Sequence, residues 1–257
     1  MEVKTPLIFS LAILIRKGRH LLPLTLETLK NQSNHNFEIL LLDGEGSGRL
    51  PELAKQYPEL KIRVQDMKGK KIGEMMNEGI RLARAQYVQF LEPGDRYISQ
   101  YGLSHVAKLI EENHHPHLVY SAYLWQSPDQ PPQAVSYPLN AERLLKGTIF
   151  RFSWFSKEML TKLGGFDIHF SHRPAFELLC RLFLDREIRA IHTRRIFTDS
   201  EPQRTLAADV MGFANDTFRI LYRHFGFWPA LKWIFIQDHF PVLRWAAAFL
   251  KHAFWKR

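Results

Sequence analysis

Two aspartates stand where a strand-borne site would put them. Asp43 follows the apolar run Phe37–Leu42, and Asp95 ends the turn Glu92-Pro-Gly-Asp95 that follows the apolar run Tyr87–Leu91. In open α/β sheets, ligands bind outside the carboxyl ends of the strands. Either aspartate can equally be a turn former or a helix cap. The cluster His114-His115-Pro116-His117 has metal-ligating side chains but lacks spaced partners and contains a proline, which favours a solvated loop. Cys180 is the only cysteine and lies in the apolar stretch Leu178–Leu184. With no activating neighbour it reads as a core thiol, and one cysteine excludes an internal disulfide.

The elements that must position these groups alternate. Leu7–Ile15 and Phe37–Leu42 read as buried strands, and Lys61–Gln65 and Tyr87–Leu91 as a third and a fourth strand. His20–Asn31, Pro51–Tyr57 and Ile72–Arg84 read as helices between them, with apolar residues at helical spacing in the first and third. Alternation of this kind implies βαβ units and a mainly parallel sheet. Beyond it, Tyr101–Glu112, Phe155–Leu163 and Phe176–Leu184 read as helices, with Gly164-Gly165 ending the second of these. The Pro- and Gln-rich stretch from Ser127 to Pro138 reads as a loop.

Several segments together resemble glycosyltransferase family 2, whose members have the GT-A fold. Ser10-Leu-Ala-Ile-Leu14 is similar to that family's first strand, and Leu26-Glu-Thr-Leu-Lys-Asn-Gln-Ser33 to the helix ending N-Q-(S/T). Asn36-Phe-Glu-Ile-Leu-Leu-Leu-Asp43-Gly44 is similar to the strand and aspartate turn that follow. Glu74-Met-Met-Asn-Glu-Gly-Ile80 looks like D-A-M-N-K-G-I, Phe90-Leu-Glu-Pro-Gly-Asp95 like F-L-N-x-G-D, and Leu163-Gly-Gly-Phe-Asp167 like G-G-F-D. The likeness runs from about residue 6 to about residue 200. It implies a Rossmann-like, mainly parallel sheet flanked by helices, over residues 1–210.

The resemblance also implies roles. A nucleoside-diphosphate sugar would be the donor, with inversion at the transferred carbon. Asp43 and Gly44 would contact the donor base, and Asn77 matches the family's Asn on the helix before the diphosphate motif. Glu92 and Asp95 would stand at that motif and hold a divalent ion, Mn or Mg, against the leaving diphosphate. The acceptor hydroxyl must lose a proton to a base. Aligning Glu177 and Arg181 with the family pattern puts Ala175 where the base is expected, so Glu177 or Asp167 would have to substitute. Glu177 is also placed to pair with Arg181 one helical turn on, and Asp167 to cap the turn after it. Leu14, Arg16 and Lys17 replace the proline, aromatic and asparagine of the family's first motif.

Charge is uneven. The chain has a net charge of +9, and residues 219–257 hold seven Lys or Arg against one acid, Asp238. Pro229 and Pro241 suggest two helix starts. In the second helix Val242, Trp245, Ala246, Phe249, Leu250 and Ala253 form one stripe. Residues 211–257 therefore read as a basic amphipathic tail, lying in an anionic membrane interface or packed on the domain itself. Glu2, the short first apolar run and the lack of a long apolar segment exclude a signal peptide and a spanning helix, and point to the cytoplasm, on the inner face of the membrane. The function implied is glycosyl transfer to a glycan or lipid-linked acceptor in cell-surface polysaccharide or lipopolysaccharide synthesis. The alternative is an impaired transferase fold that binds nucleotide or glycan, or acts as a scaffold. Gly44, Gly46 and Gly48 raise a dinucleotide site, but follow the second strand rather than opening a helix after the first. Charge confined to a tail argues against nucleic acid as the partner.

Overall fold

A computed structural model of the chain describes residues 7–46, 48–127, 130–136, 139–140, 144, 152–200 and 210–236. The first half is a parallel sheet. Strands β1 (Phe9–Ile15), β2 (Phe37–Asp43), β3 (Ile62–Asp66) and β4 (Tyr87–Leu91) pair in the order β3-β2-β1-β4. A 3-10 turn (Arg19–Leu21) and α1 (Leu22–Lys30) link β1 to β2. Helix α2 (Leu50–Lys55) links β2 to β3, and α3 (Ile72–Leu82) links β3 to β4.

Strands β1, β2 and β4 are mostly apolar and buried along their length because both faces of the sheet are covered there, whereas β3, Ile-Arg-Val-Gln-Asp, lies at the edge and is only partly buried. Side chains alternate across a strand with a period of two. Accordingly Ala12, Leu14, Leu40, Leu42, Val88 and Phe90 enter one core with Met75, Met76 and Ile80 of α3. Leu11, Ile13, Ile15, Ile39 and Leu41 enter another with Leu22, Leu26 and Leu29 of α1. At the amino ends, buried Glu38 joins the strands by accepting from Ser10 Oγ at 2.7 Å and from Arg63 at 2.9 Å. Because β1 lies between β2 and β4, the chain reverses direction across it, and that reversal opens a crevice at the carboxyl ends.

The second half makes the sheet mixed. It contains β5 (Asp95–Tyr97), α4 (Gly102–Glu112), β6 (Leu118–Ser127), β7 (Gln130–Val135), β8 (Ser153–Ser156), α5 (Lys157–Lys162), α6 (Pro174–Leu184), β9 (Ala190–Ser200), α7 (Val210–Phe225) and α8 (Phe227–Ile236). The order continues β4-β8-β6-β9-β5, with β7 on β6. Of these pairings only β6 with β9 is parallel.

Two readings from sequence change here. The segment expected as a helix over Phe155–Leu163 divides into β8 and α5, with Ser156 as the cap accepting from the Met159 N–H. Burial of Trp154 and Phe155 between β4 and β6 decides this, since a strand there completes two ladders. The Pro-rich stretch expected as a loop contains β7. It pairs only with β6, and an edge strand tolerates Pro131 and Pro132. The described part of 211–257 is helical and packed on the domain: Ile220 and Leu221 of α7 and Ala230 and Trp233 of α8 join the core that holds α6. The stripe from Val242 to Ala253, and the helix start at Pro241, lie outside the described residues. No described helix is long and apolar enough to cross a membrane.

Candidate active site

Asp43 ends β2 at the crevice and is nearly buried. Its Oδ1 accepts the Glu45 and Gly46 N–H groups at 3.1 and 3.0 Å, which folds the turn after the strand. Gly44 donates to the Ile15 carbonyl at 2.8 Å; a Cβ there would stand 3.0 Å from that oxygen. Across β1, the turn after β4 presents Glu92. Asp95 is only 3% exposed and turns its Oδ2 back onto the Glu92 N–H at 2.8 Å. Between them Gly94 has φ +95 and donates to Thr25 Oγ1 at 2.9 Å; an added Cβ would meet Leu21 at 3.2 Å.

The loop after β1 brings cations to the same place. Arg16 Nη2 lies 3.3 Å from Glu92 Oε1, so this pair spans the crevice between β1 and β4. Arg19 lies 3.9 Å from Glu45 Oε2, and its Nη1 is shut from solvent with no hydrogen-bond partner. Sequence reasoning recorded Arg16 only as a departure from a motif and did not single out Arg19. The usable signal was placement: both follow an apolar strand as Asp43 does.

A second cluster surrounds the Gly-Gly-Phe-Asp turn. Asn77 of α3 does not face the crevice turns but clamps this one, accepting from the Phe166 N–H at 2.7 Å and donating to the Phe166 carbonyl at 2.9 Å. Gly165, at φ +73, is required beneath it, since an added Cβ would collide with Asn77 Oδ1. Asp167 accepts from the His169 N–H at 2.9 Å and from Arg223 of α7 at 2.7 Å. Burial opposes its ionisation, yet the His169 and Arg223 bonds outweigh that and pull its carboxyl down to about 2. A cavity of about 340 Å³ beside it is lined by Phe170, Phe218, Arg219, Tyr222 and Arg223.

Glu177 is 2% exposed. Arg181 reaches both of its oxygens, at 2.7 to 3.0 Å, and His224 Nε2 lies 3.1 Å from Oε1. Burial pushes its pKa up, but bonds from His224 and Arg181 leave it below the ordinary glutamate value. Arg181 also donates to the carbonyls of Leu163 and Gly165. The pair therefore ties α6 to the glycine turn and to α7. Ala175 sits in the first turn of α6, where Pro174 and Ile168 approach Gly73 at the start of α3. Cys180 is fully buried and its thiol is pushed up to about 12 by burial, as expected for a core thiol. His117 accepts the Arg189 N–H through Nδ1, a bond that fastens β6 to the start of β9.

The sequence-derived residues thus fall into two groups. Asp43, Gly44, Glu92 and Asp95 lie at the carboxyl ends of β2 and β4, on either side of β1, while Asn77, Asp167 and Glu177 meet around the Gly-Gly-Phe-Asp turn. The crevice residues do not fit a divalent cation. Glu92 is engaged by Arg16, and Asp95 is folded into its own turn. Among the described residues, no group of three or more His, Cys, Asp or Glu is placed to hold a metal.

Comparison with known proteins agrees with this architecture. The family described as Glycosyl transferase family 2 matches residues 10–170. The Bacillus subtilis (strain 168) protein named glycosyltransferase EpsH is 25% identical over 95 residues, which cover 36% of this chain and 27% of that protein. S. aureus TarS 1-349 in complex with UDP-GlcNAc has a similar structure (TM-score 0.70, 15% identity, 90% of this chain and 67% of that one). So does the mannosyltransferase PcManGT from Pyrobaculum calidifontis in complex with GDP-Man and Mn2+ (TM-score 0.64, 14% identity, 86% and 64%). The likeness spans about two thirds of the two solved chains and about a quarter of EpsH.

Proposed function

The chain belongs to glycosyl transferase family 2, and from that premise we propose that it moves a sugar from a nucleoside-diphosphate sugar to a glycan or lipid-linked acceptor. The observation that carries this is the crevice at the reversal point of the sheet, with Asp43 and Gly44 on one side and the Glu92–Asp95 turn on the other. Structural neighbours bound to UDP-GlcNAc and GDP-Man support a donor of the same class. In this reading Asp43 and Gly44 receive the base, and the loop after β1 faces the diphosphate. Asn77 and the Glu177–Arg181 pair hold the Gly-Gly-Phe-Asp turn in register beside it.

Transfer with inversion forms a bond from the acceptor oxygen to the sugar carbon as the carbon–diphosphate bond breaks. The hydroxyl proton must go to a base. Of the two carboxylates, Asp167 is the one with a partly exposed side chain, 20% against 3% for Glu177, and we assign the proton to it. Its low pKa makes it a weak base, so turnover is expected to be slow. A second reading, a donor-binding subunit without turnover, is favoured by Ala175 at the expected base position. Release of UDP or GDP from a panel of sugar nucleotides, with membrane lipid extract as acceptor, separates the two. Consumption of one donor above its hydrolysis background supports transfer; nucleotide binding without turnover for any donor supports the second reading.

We further propose that residues 211–257 seat the protein on the inner, cytoplasmic face of an anionic membrane, in cell-surface polysaccharide or lipopolysaccharide synthesis. Supporting this, α7 and α8 expose Met211, Phe227 and Trp228, at 74%, 50% and 75%, on the basic end of the chain. Aromatic and basic residues together favour that interface.

A further inference from the structure

We infer that Arg16 and Arg19 take the diphosphate charge that a divalent cation takes elsewhere, so that nucleoside-diphosphate binding by this chain does not require metal. The inference rests on the donor reading above. Three independent features carry it. First, Arg16 stands after β1, the central strand at the reversal point, and reaches across to Glu92 after β4. A ligand lying in the crevice must pass this guanidinium. Second, the Arg19 side chain is 31% exposed, yet its Nη1 is shut from solvent without a hydrogen-bond partner and lies 3.9 Å from Glu45 Oε2, beyond hydrogen-bond reach. An N–H left without an acceptor on a guanidinium is a place where an anion's oxygen gains a charge-assisted bond. Third, among the described residues no group of three or more His, Cys, Asp or Glu is placed to hold a cation. The carboxylates of Glu92 and Asp95 are three residues apart, Asp95 caps its own turn, and Leu21 fills the space above Gly94.

Chemically the substitution is sufficient. When the carbon–oxygen bond to the diphosphate breaks, its electron pair stays on a phosphate oxygen. That charge needs fixed donors, not a proton. A guanidinium stays charged at any working pH and offers two parallel N–H groups to phosphate oxygens. The Arg16 side chain is 44% exposed, so it can exchange Glu92 for phosphate without disturbing the core.

The test is calorimetric titration of the full chain with UDP and with GDP, in EDTA and in manganese. The inference expects the same affinity in both conditions for the nucleotide that binds. Arg16→Gln and Arg19→Gln should each weaken it roughly 10- to 100-fold, and Arg16→Lys should retain much of it. Glu92→Gln discriminates further. If Arg16 carries the diphosphate, freeing it from Glu92 tightens binding in EDTA, and weaker binding there counts against the inference. Binding that appears only with manganese and vanishes in Glu92→Gln overturns the inference while leaving the donor reading intact. Binding of neither nucleotide in either condition overturns both.

Discussion

Asp167 and Glu177 are both acids beside the start of α6, and their partners set different fates for them. Glu177 faces Arg181 and His224 inside the fold. Glu177→Gln leaves the half-buried Arg181 guanidinium without its counter-charge, a loss of about 3 kcal/mol, or a fall in Tm of about 6 to 12 °C. A thermal melt checks this, and an unchanged Tm would refute the tie between α6 and α7. Asp167 titrates. Its folded value of about 2 lies below the ordinary aspartate value of about 3.9. Its stabilising contribution is therefore complete above about pH 4 and is lost as pH falls towards 2. Melts of the native chain and of Asp167→Asn across that window should converge at the acid end. If they stay parallel, the Arg223 and His169 bonds do not depress it. Ala175→Asp places a base of ordinary strength at the first turn of α6. It should raise kcat, by up to about a hundredfold, with little change in donor KM.

At the scale of elements, the first four strands and the helices between them were legible because β1, β2 and β4 are mostly apolar runs, β3 alternates apolar and polar residues, and polar turns separate them from the helices. Ser153–Ser156 and Gln130–Val135 were not. The first is a strand only because β4 and β6 flank it, and the second only because an edge ladder tolerates proline. Neither fact is local. The site shows the same limit. Asp43 and Asp95 were readable both as strand-end site residues and as turn formers, and only the fold shows that each bonds to N–H groups of its own turn. Asn77 was readable as a motif residue, but its bond to a backbone 89 positions away was not. That bond gives a further expectation. Gly165→Ala forces a Cβ against Asn77 at a positive φ and should destabilise the chain by about 2 kcal/mol or more. Asn77→Ala should relieve the collision but lose the clamp, so the double variant should recover only part. Full recovery would mean that the clamp carries no stability.

Over the whole molecule, charge and shape divide the work. The apolar strands form a rigid platform, the crevice gathers opposed charges at one edge, and the basic helical end exposes aromatic side chains. The full chain should therefore sediment with vesicles containing anionic lipid, and less so as salt rises. A chain lacking residues 237–257 should sediment more weakly; equal sedimentation would remove the tail from the membrane proposal. The most direct test of the central claim is binding at the crevice itself. Titrating UDP, GDP and TDP into the native chain and into Asp43→Asn should show one nucleotide binding the native chain. The substitution should weaken it about tenfold, or about 1.4 kcal/mol. Binding of none, or binding that Asp43→Asn leaves untouched, would contradict the claim that this crevice is the donor site.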